Sequence, residues 1–452
     1  MAGGSRAYWE VLDEAPWGPL HWKLFAVFSD NYFFDGLLFA VTPLLLYLVA
    51  PPSVAPLVFA LNLTSEAAGA IVLGWLSDRY GRLRVFAASM ALEAGSLALL
   101  LVFYSDVPLL ALLSSLITFC IGGEFSSTYA LLAELTPARH RGKAMLMATN
   151  FWNLGSTVIA VFGLLYARLA PTPSLEARYL LLTALGIGLG AGAARFALPE
   201  SPRWLALRGM RGEAERVVRM ATGYSGPLDL SVPPESGVGL GEALRRYAFR
   251  FAVLAVVTLV VYITYVLVAF YAPYAPGFAF GEAAVARVVF YANLGSFLGA
   301  FMLLPLIDRT RRWTLTLSTL GGTLTAAALL VANSHAAEAA FYAALFTNMV
   351  FSEWAWAGLS ALQSELFPTG VRSSVVGMLV GLQGAAGALI VYTGLQASAT
   401  ALFLASTALW AAGLAASTAW HLRGTESARR SVEELSATHR QEPEPAAGSL
   451  AA

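Results

Sequence analysis

The sequence predicts an all-α membrane protein with twelve transmembrane helices in two six-helix pseudo-repeats. Three observations predict it. The chain has 452 residues, 58% of them hydrophobic and 12% charged, whereas soluble proteins carry about 25% charged residues to cover their surface. Apolar runs of bilayer length recur twelve times. Charged motifs reappear at matching places in the two halves.

The same composition excludes other classes. Lys+Arg and Asp+Glu both number 28, so the basic excess of a nucleic-acid binder is missing. A disordered chain would be polar. The single Cys120 allows neither an internal disulfide nor a Cys-based metal cluster. The five His lack metal-ligand spacing. No nucleophile–base set or phosphate-binding Gly-rich loop is present, so neither catalysis nor ATP drive is expected, and no metal or cofactor.

In chain order, residues 1–21 hold Asp13 and Glu14 and no short apolar stretch before a cleavage site, so they read as a cytoplasmic segment and not a signal peptide. Six spans follow, at 22–48, 54–77, 85–104, 108–135, 143–168 and 176–198, giving an N-terminal bundle over 22–198. Each reaches the roughly 20 residues that cross about 30 Å of hydrocarbon. Lipid offers the backbone no hydrogen-bond partners, so helix is the expected form. Residues 199–248 differ, with 13 charged residues. Within them Ala214, Val217, Val218 and Ala221 recur at helical spacing, predicting a short amphipathic helix over Gly212–Gly223. The stretch from Tyr224 to Gly241 is rich in Gly, Pro and Ser and reads as irregular. Spans at 249–272, 284–307, 313–333, 337–366, 373–395 and 399–421 form a C-terminal bundle over 249–421. A polar cytoplasmic tail, 422–452, ends in a stretch of disordered composition from Gln441.

Basic residues set the orientation. Of 28 Lys and Arg, only Arg168, Arg178 and Arg287 fall on one side. The basic-rich side, with both termini, is therefore expected in the cytoplasm, and the chain in the plasma membrane.

The halves repeat their charges. Gly74-Trp75-Leu76-Ser77-Asp78-Arg79-Tyr80-Gly81-Arg82 follows span two, and Leu304-Pro305-Leu306-Ile307-Asp308-Arg309 follows span eight. Glu134-Leu135-Thr136-Pro137 leads to Arg141 after span four, and Glu365-Leu366-Phe367-Pro368 leads to Arg372 after span ten. A duplicated six-helix unit is a plan typical of secondary transporters, with the site near the midplane between halves.

These residues resemble the major facilitator superfamily. Gly74 to Arg84 is similar to its signature loop between helices two and three. Pro199-Glu200-Ser201-Pro202-Arg203-Trp204-Leu205 resembles the signature after helix six of the sugar-porter and metabolite:proton symporter branch. The tail Thr425-Glu426 to Glu433-Glu434-Leu435 is similar to that branch as well. The resemblance implies the major facilitator fold and transport by alternating access. The chain departs from the sugar porters in lacking a Gln pair early in span seven, which reads Val257-Thr258-Leu259-Val260-Val261-Tyr262, and in lacking a basic residue in span four.

Asp78, Arg79, Arg82, Glu134, Arg141, Glu200 and Arg203, with Gly74 and Gly81 shaping the first loop, and Asp308, Arg309, Glu365 and Arg372 in the second half, are expected to form a cytoplasmic gating network. The alternative is that they anchor helix ends and snorkel to the headgroups. Acids within the membrane carry the sharper signal, because a charged side chain there costs at least about 2.5–3.5 kcal/mol. Asp35, Glu124 and Glu353 are the candidates for proton coupling, in that order. Glu66 and Glu93 also fall mid-span, with Glu93 expected to be silent because its helix is usually peripheral. Each acid has the alternative of a protonated group bonded to a neighbouring carbonyl. No Lys, Arg or His falls near the middle of a span. A multiply charged anion needs a basic clamp, so neutral, zwitterionic or cationic solutes are favoured. Candidate binding residues are Asn150, Trp152, Asn153, Asn293, Asn348, Trp356 and Gln383, with interhelical packing the alternative for each Asn.

The expectation is a monomeric secondary transporter that moves a small polar metabolite, sugar-like, zwitterionic or another organic solute, by proton symport. Its partners are the solute, protons and the bilayer, and no nucleic acid. The rival is a proton-antiporting exporter of cationic or amphipathic compounds.

Overall fold

The computed structural model describes residues 5–191, 198–281, 284–393 and 397–437. The N-terminal segment, expected as a plain leader to span one, holds a two-residue strand, Arg6–Ala7, and helix α1 (Tyr8–Asp13). Six long helices follow: α2 (Pro19–Val49), α3 (Ala55–Tyr80), α4 (Arg82–Phe103), α5 (Val107–Leu135), α6 (Arg141–Leu169) and α7 (Pro173–Ala191). The last part of the predicted sixth span lies outside the described residues.

The charged loop folds into α8 (Pro202–Leu207), α9 (Arg211–Thr222) and α10 (Leu240–Arg246). Helix α9 buries Ala214, Val217, Val218 and Ala221, the predicted apolar face, and stops at Gly223 in the left-handed conformation. The stretch read as irregular contains a strand, Leu228–Asp229, that pairs in parallel with Arg6–Ala7. The second set is α11 (Ala248–Val266), α12 (Val285–Ile307), α13 (Arg311–Ser334), α14 (Glu338–Glu365), α15 (Arg372–Thr393) and α16 (Ala399–Arg423), followed by the short α17 (Val432–Ala437). Span seven runs on from α11 through a π-helical turn, Leu267–Tyr271, and a 3-10 turn, Ala272–Tyr274. Pro273 lacks an N–H and breaks the regular ladder there.

Twelve helices among the described residues thus have 19 residues or more, and ten of them are long and apolar enough to cross a membrane. Helix α14 is long but carries Asn348, Glu353 and Gln363 in its buried face. Leucine side chains such as Leu57, Leu112, Leu164, Leu324 and Leu404 are exposed, as a lipid-facing surface requires.

Two seams organise the molecule. Inside the first set, α2 and α6 approach so closely that a Cβ on Gly36 would strike the Trp152 carbonyl. Between the sets, α3 lies along α15, where the Ala70 carbonyl occupies the space a Cβ on Gly377 would need. Helices α1, α8–α10 and α17 and the α3–α4, α5–α6, α12–α13 and α14–α15 turns share one end of the bundle, the terminal face.

Candidate functional site

Polar groups concentrate at two depths. On the terminal face, helix ends converge on buried ion pairs. Asp78 ends α3 and Arg82 begins α4, four residues on and across Gly81, whose φ of 113° makes the sharp turn possible. Arg82 contacts Asp78 at 3.1 Å and Glu134 at 3.2 Å. Glu134 also pairs with Arg372 from the second set. Asp78 crosses the seam as well, accepting from the Ser374 backbone N–H at 2.7 Å and its hydroxyl at 2.6 Å. Arg141 reaches Glu365 at 3.9 Å, and Lys143 reaches Asp308 at 4.0 Å. Glu200 caps α4 by accepting from the backbone N–H groups of Arg82 (3.1 Å) and Leu83 (3.0 Å).

Arg79 and Arg309 do not join this network. Both are exposed. Arg79 stacks on Trp75 and Tyr80. Arg309 lies before the start of α13, and Arg311, on its first turn, takes the inward position, 2.9 Å from Glu365. The repeat of motifs is therefore not a repeat of register.

The network also recruits residues absent from the expected set. Asp13, at the end of α1, bridges Arg141 (2.7 Å) and Arg203 (3.0 Å). Glu433 in α17 meets Arg203 at 2.8 Å. Glu426 accepts from the backbone N–H groups of Arg311 (2.8 Å) and Arg312 (3.3 Å) at the start of α13. Burial works against the charge on Arg203, but Asp13 and Glu433 outweigh it and raise its pKa. Burial disfavours the charge on Glu433, and Arg203 more than compensates, lowering its pKa. The tail motif near Glu426 and Glu433 was the available signal. For Asp13 the only signal was an acid in a polar segment.

At mid-depth the carboxylates meet different company. Asp35 of α2, Glu93 of α4 and Glu124 of α5 are all buried, and one oxygen from each lies within 4.8 Å of the others. Asn31, one turn before Asp35, donates its amide N–H to Asp35 Oδ2 at 2.8 Å. The Ser89 hydroxyl donates to Glu124 Oε1 at 3.0 Å. Glu93, expected to be silent, is a full member of this cluster, because α4 packs against α5 on its inner side. Three full charges at this spacing would repel by roughly 3–4 kcal/mol per pair at an effective dielectric of about 20, so full ionisation of all three together is disfavoured.

Glu353 lies outside this cluster, on α14. The Asn153 amide of α6 donates to its Oε2 at 3.2 Å and to Asn150 Oδ1 at 3.0 Å. Asn150 donates to the Phe297 carbonyl of α12 at 3.3 Å. Asn150, Asn153 and Glu353 thus form one chain across the seam. Beside it, Trp152 lies between Phe39 (5.3 Å) and Phe125 (5.4 Å), and Phe125 continues to Tyr32 and Tyr129. Of the other candidates, Asn348 donates to the Gly322 carbonyl (3.1 Å) and Thr325 hydroxyl (2.9 Å) of α13, which is packing between neighbours. Asn293 donates to the Val289 carbonyl of its own helix. Trp356 packs on the apolar core of the second set. Gln383 is buried on α15, with no hydrogen bond among the described residues. Glu66 of α3 lies within electrostatic reach of Tyr262 of α11, across the seam.

The family model for the Major Facilitator Superfamily matches residues 24–391, most of the chain. The chain belongs to this superfamily. It is 31% identical over 222 residues to the inner membrane metabolite transport protein YgcS of Escherichia coli, covering 48% of each chain. It is 26% identical over 155 residues to the niacin transporter NiaP of Acinetobacter baylyi, covering 33% of this chain and 35% of that one. A third relative, organic cation/carnitine transporter 2 of Rattus norvegicus, is 30% identical over 172 residues, covering 38% and 29%. The chain spans about half the length, or less, of these curated relatives. Among solved structures, the proton:xylose symporter XylE bound to 6-bromo-6-deoxy-D-glucose aligns with a TM-score of 0.75 at 18% identity, covering 92% of this chain and 99% of that one. The partially occluded inward-open form of the E. coli protein aligns at 0.64, also at 18% identity, covering 90% and 99%. The protein is a multi-pass integral membrane protein with the major facilitator fold.

Proposed function

We propose that this protein is a secondary active transporter that moves a small polar metabolite by alternating access, in symport with protons. The observation that carries this reading is the convergence of Asp35, Glu93 and Glu124 from three helices of one half. Asp35 accepts from the Asn31 amide one turn before it, and Glu124 accepts from the Ser89 hydroxyl of α4. A proton taken from one side relieves their mutual repulsion, and water entering from the other side removes it.

The terminal face supplies the gate. With Glu134 on Arg372, Asp78 on Ser374 and Arg141 on Glu365, the two halves are tied there. We assign that face to the cytoplasm, from its basic excess, and the chain to the plasma membrane as a monomer. The halves, 22–198 and 249–421, then rock about the central seam, and the solute binds among Asn150, Trp152, Asn153 and Gln383. The names of the relatives, a metabolite transport protein, a niacin transporter and an organic cation/carnitine transporter, support an organic solute of modest size.

Full-length protein in proteoliposomes, given an imposed pH gradient and a panel of labelled sugars, carboxylates, amino acids and organic cations, tests the reading. Accumulation of one solute class along the inward proton gradient is expected. Efflux of solute against inward protons would establish an exporter instead. Accumulation driven by a sodium gradient alone would assign the acid cluster to a metal cation.

A further inference from the structure

Glu353 is a buried carboxyl group at the seam between the halves, and it enters no ion pair among the described residues. The Asn153 amide holds only Oε2. No Lys, Arg or His falls near the middle of a described long helix, so among the described residues no positive charge is brought to this depth. The site is not sealed. Trp152 and Asn153, in the middle of α6, and Tyr265, near the end of α11, come from different halves, and all keep partial exposure.

Aromatic residues lie in the neighbourhood of this carboxyl group, Trp152 being next in sequence to Asn153, which holds Oε2. The hydroxyls of Tyr129, on α5, and Tyr265, on α11, are both within its electrostatic reach. Tyr129 packs at 5.7 Å on Phe125, which packs at 5.4 Å on Trp152. Ring faces attract cations, most strongly in a desolvated setting. A carboxylate with such rings nearby fits a positively charged nitrogen better than it fits a hydroxyl, because charge on the ligand answers charge on the protein.

We propose that Glu353 is the counter-ion for an organic ammonium group on the transported solute, seated against Tyr129, Tyr265 and Trp152. The two acid sites then divide the work. Asp35, Glu93 and Glu124 exchange protons within one half, while Glu353 selects the cargo from the other. A cation bound at Glu353 and Asn153 touches both halves, so its arrival bears on the seam along which they move. This rests on the transport reading, and it names the substrate class of that same site.

The test compares choline with 3,3-dimethylbutan-1-ol, its uncharged isostere, and tetraethylammonium with 3,3-diethylpentane, its uncharged isostere. Binding is read from tryptophan fluorescence and thermal unfolding of the purified full chain in detergent, with no gradient present. At least one cation should bind about tenfold or more tighter than its isostere. Glu353→Gln should erase that preference, and Glu353→Asp, which keeps the charge, should restore part of it. Equal binding of each cation and its isostere, no cation binding, or an undiminished preference in Glu353→Gln protein would overturn the assignment. Because no proton gradient is used, cation selectivity without gradient-driven uptake would refute the symport reading alone. Gradient-driven uptake of a neutral solute that neither cation displaces would refute this one alone.

Discussion

The terminal face and the mid-membrane site use the same residue type in opposite ways. On the terminal face, buried carboxylates are met by guanidinium groups: Glu134 by Arg82 and Arg372, Glu365 by Arg311, Asp13 by Arg141 and Arg203. At mid-depth, Asp35 is met by an amide, Glu124 by a hydroxyl and Glu353 by an amide. The lesson is one of charge balance. A carboxylate held by arginine is fixed in one state and serves as a latch. A carboxylate held by neutral donors can change its charge or take a charged ligand.

Substitutions can sharpen or break this contrast. The largest effect is expected in the acid cluster. Glu124→Gln should lower proton-driven accumulation by two orders of magnitude or more, while the protein still folds, because an amide keeps the Ser89 contact and cannot take up a proton. Uptake assays against size-exclusion profiles check this, and unchanged accumulation would remove Glu124 from the coupling set.

Next comes Arg372→Ala. It leaves Glu134 with Arg82 as its buried partner, so the loss stays below the about 3–5 kcal/mol of a fully broken buried pair. Thermal unfolding should shift downward, and cysteine labelling along α15 at the terminal face should rise.

Glu433→Gln should have a smaller effect, about 1–3 kcal/mol, as a charge-assisted bond to Arg203 is lost. The pH dependence follows from its lowered pKa. Its stabilisation is fully present above the ordinary carboxylate range near pH 4.3 and is lost as pH falls through the lower folded value. Unfolding of the wild-type protein should therefore steepen with acid in that window more than unfolding of Glu433→Gln protein, and parallel curves would count against the tail as a strap.

The smallest effect is expected at Arg79 and Arg309. Both are exposed and outside the latch, so alanine at either should change stability by about 0.5 kcal/mol or less and leave the labelling pattern of the gate unchanged.

Much of this contrast was legible in the residues. Hydropathy and length locate the spans, because lipid imposes both on any crossing helix. The motif acids and bases of the latch were recognisable from their recurrence. Position along the spans was legible too, and it placed Asp35, Glu124 and Glu353 away from the helix ends. What hydropathy does not encode is the direction in which a side chain leaves its helix relative to neighbours. Glu93 looked peripheral until α4 was seen to turn it toward Glu124. Arg309 and Arg311 differ by two residues, close to half a helical turn, and only the start of α13 decides which one enters. Asp13 and Glu433 lie in polar segments whose docking depends on contacts far away in sequence.

The central claim is that the clustered acids carry the proton. Its most direct measurement compares two assays on Asp35→Asn protein in proteoliposomes, one of uphill solute accumulation driven by a pH gradient and one of solute counterflow at equal pH. The account predicts that accumulation is lost and counterflow persists. Accumulation at the wild-type level would contradict it.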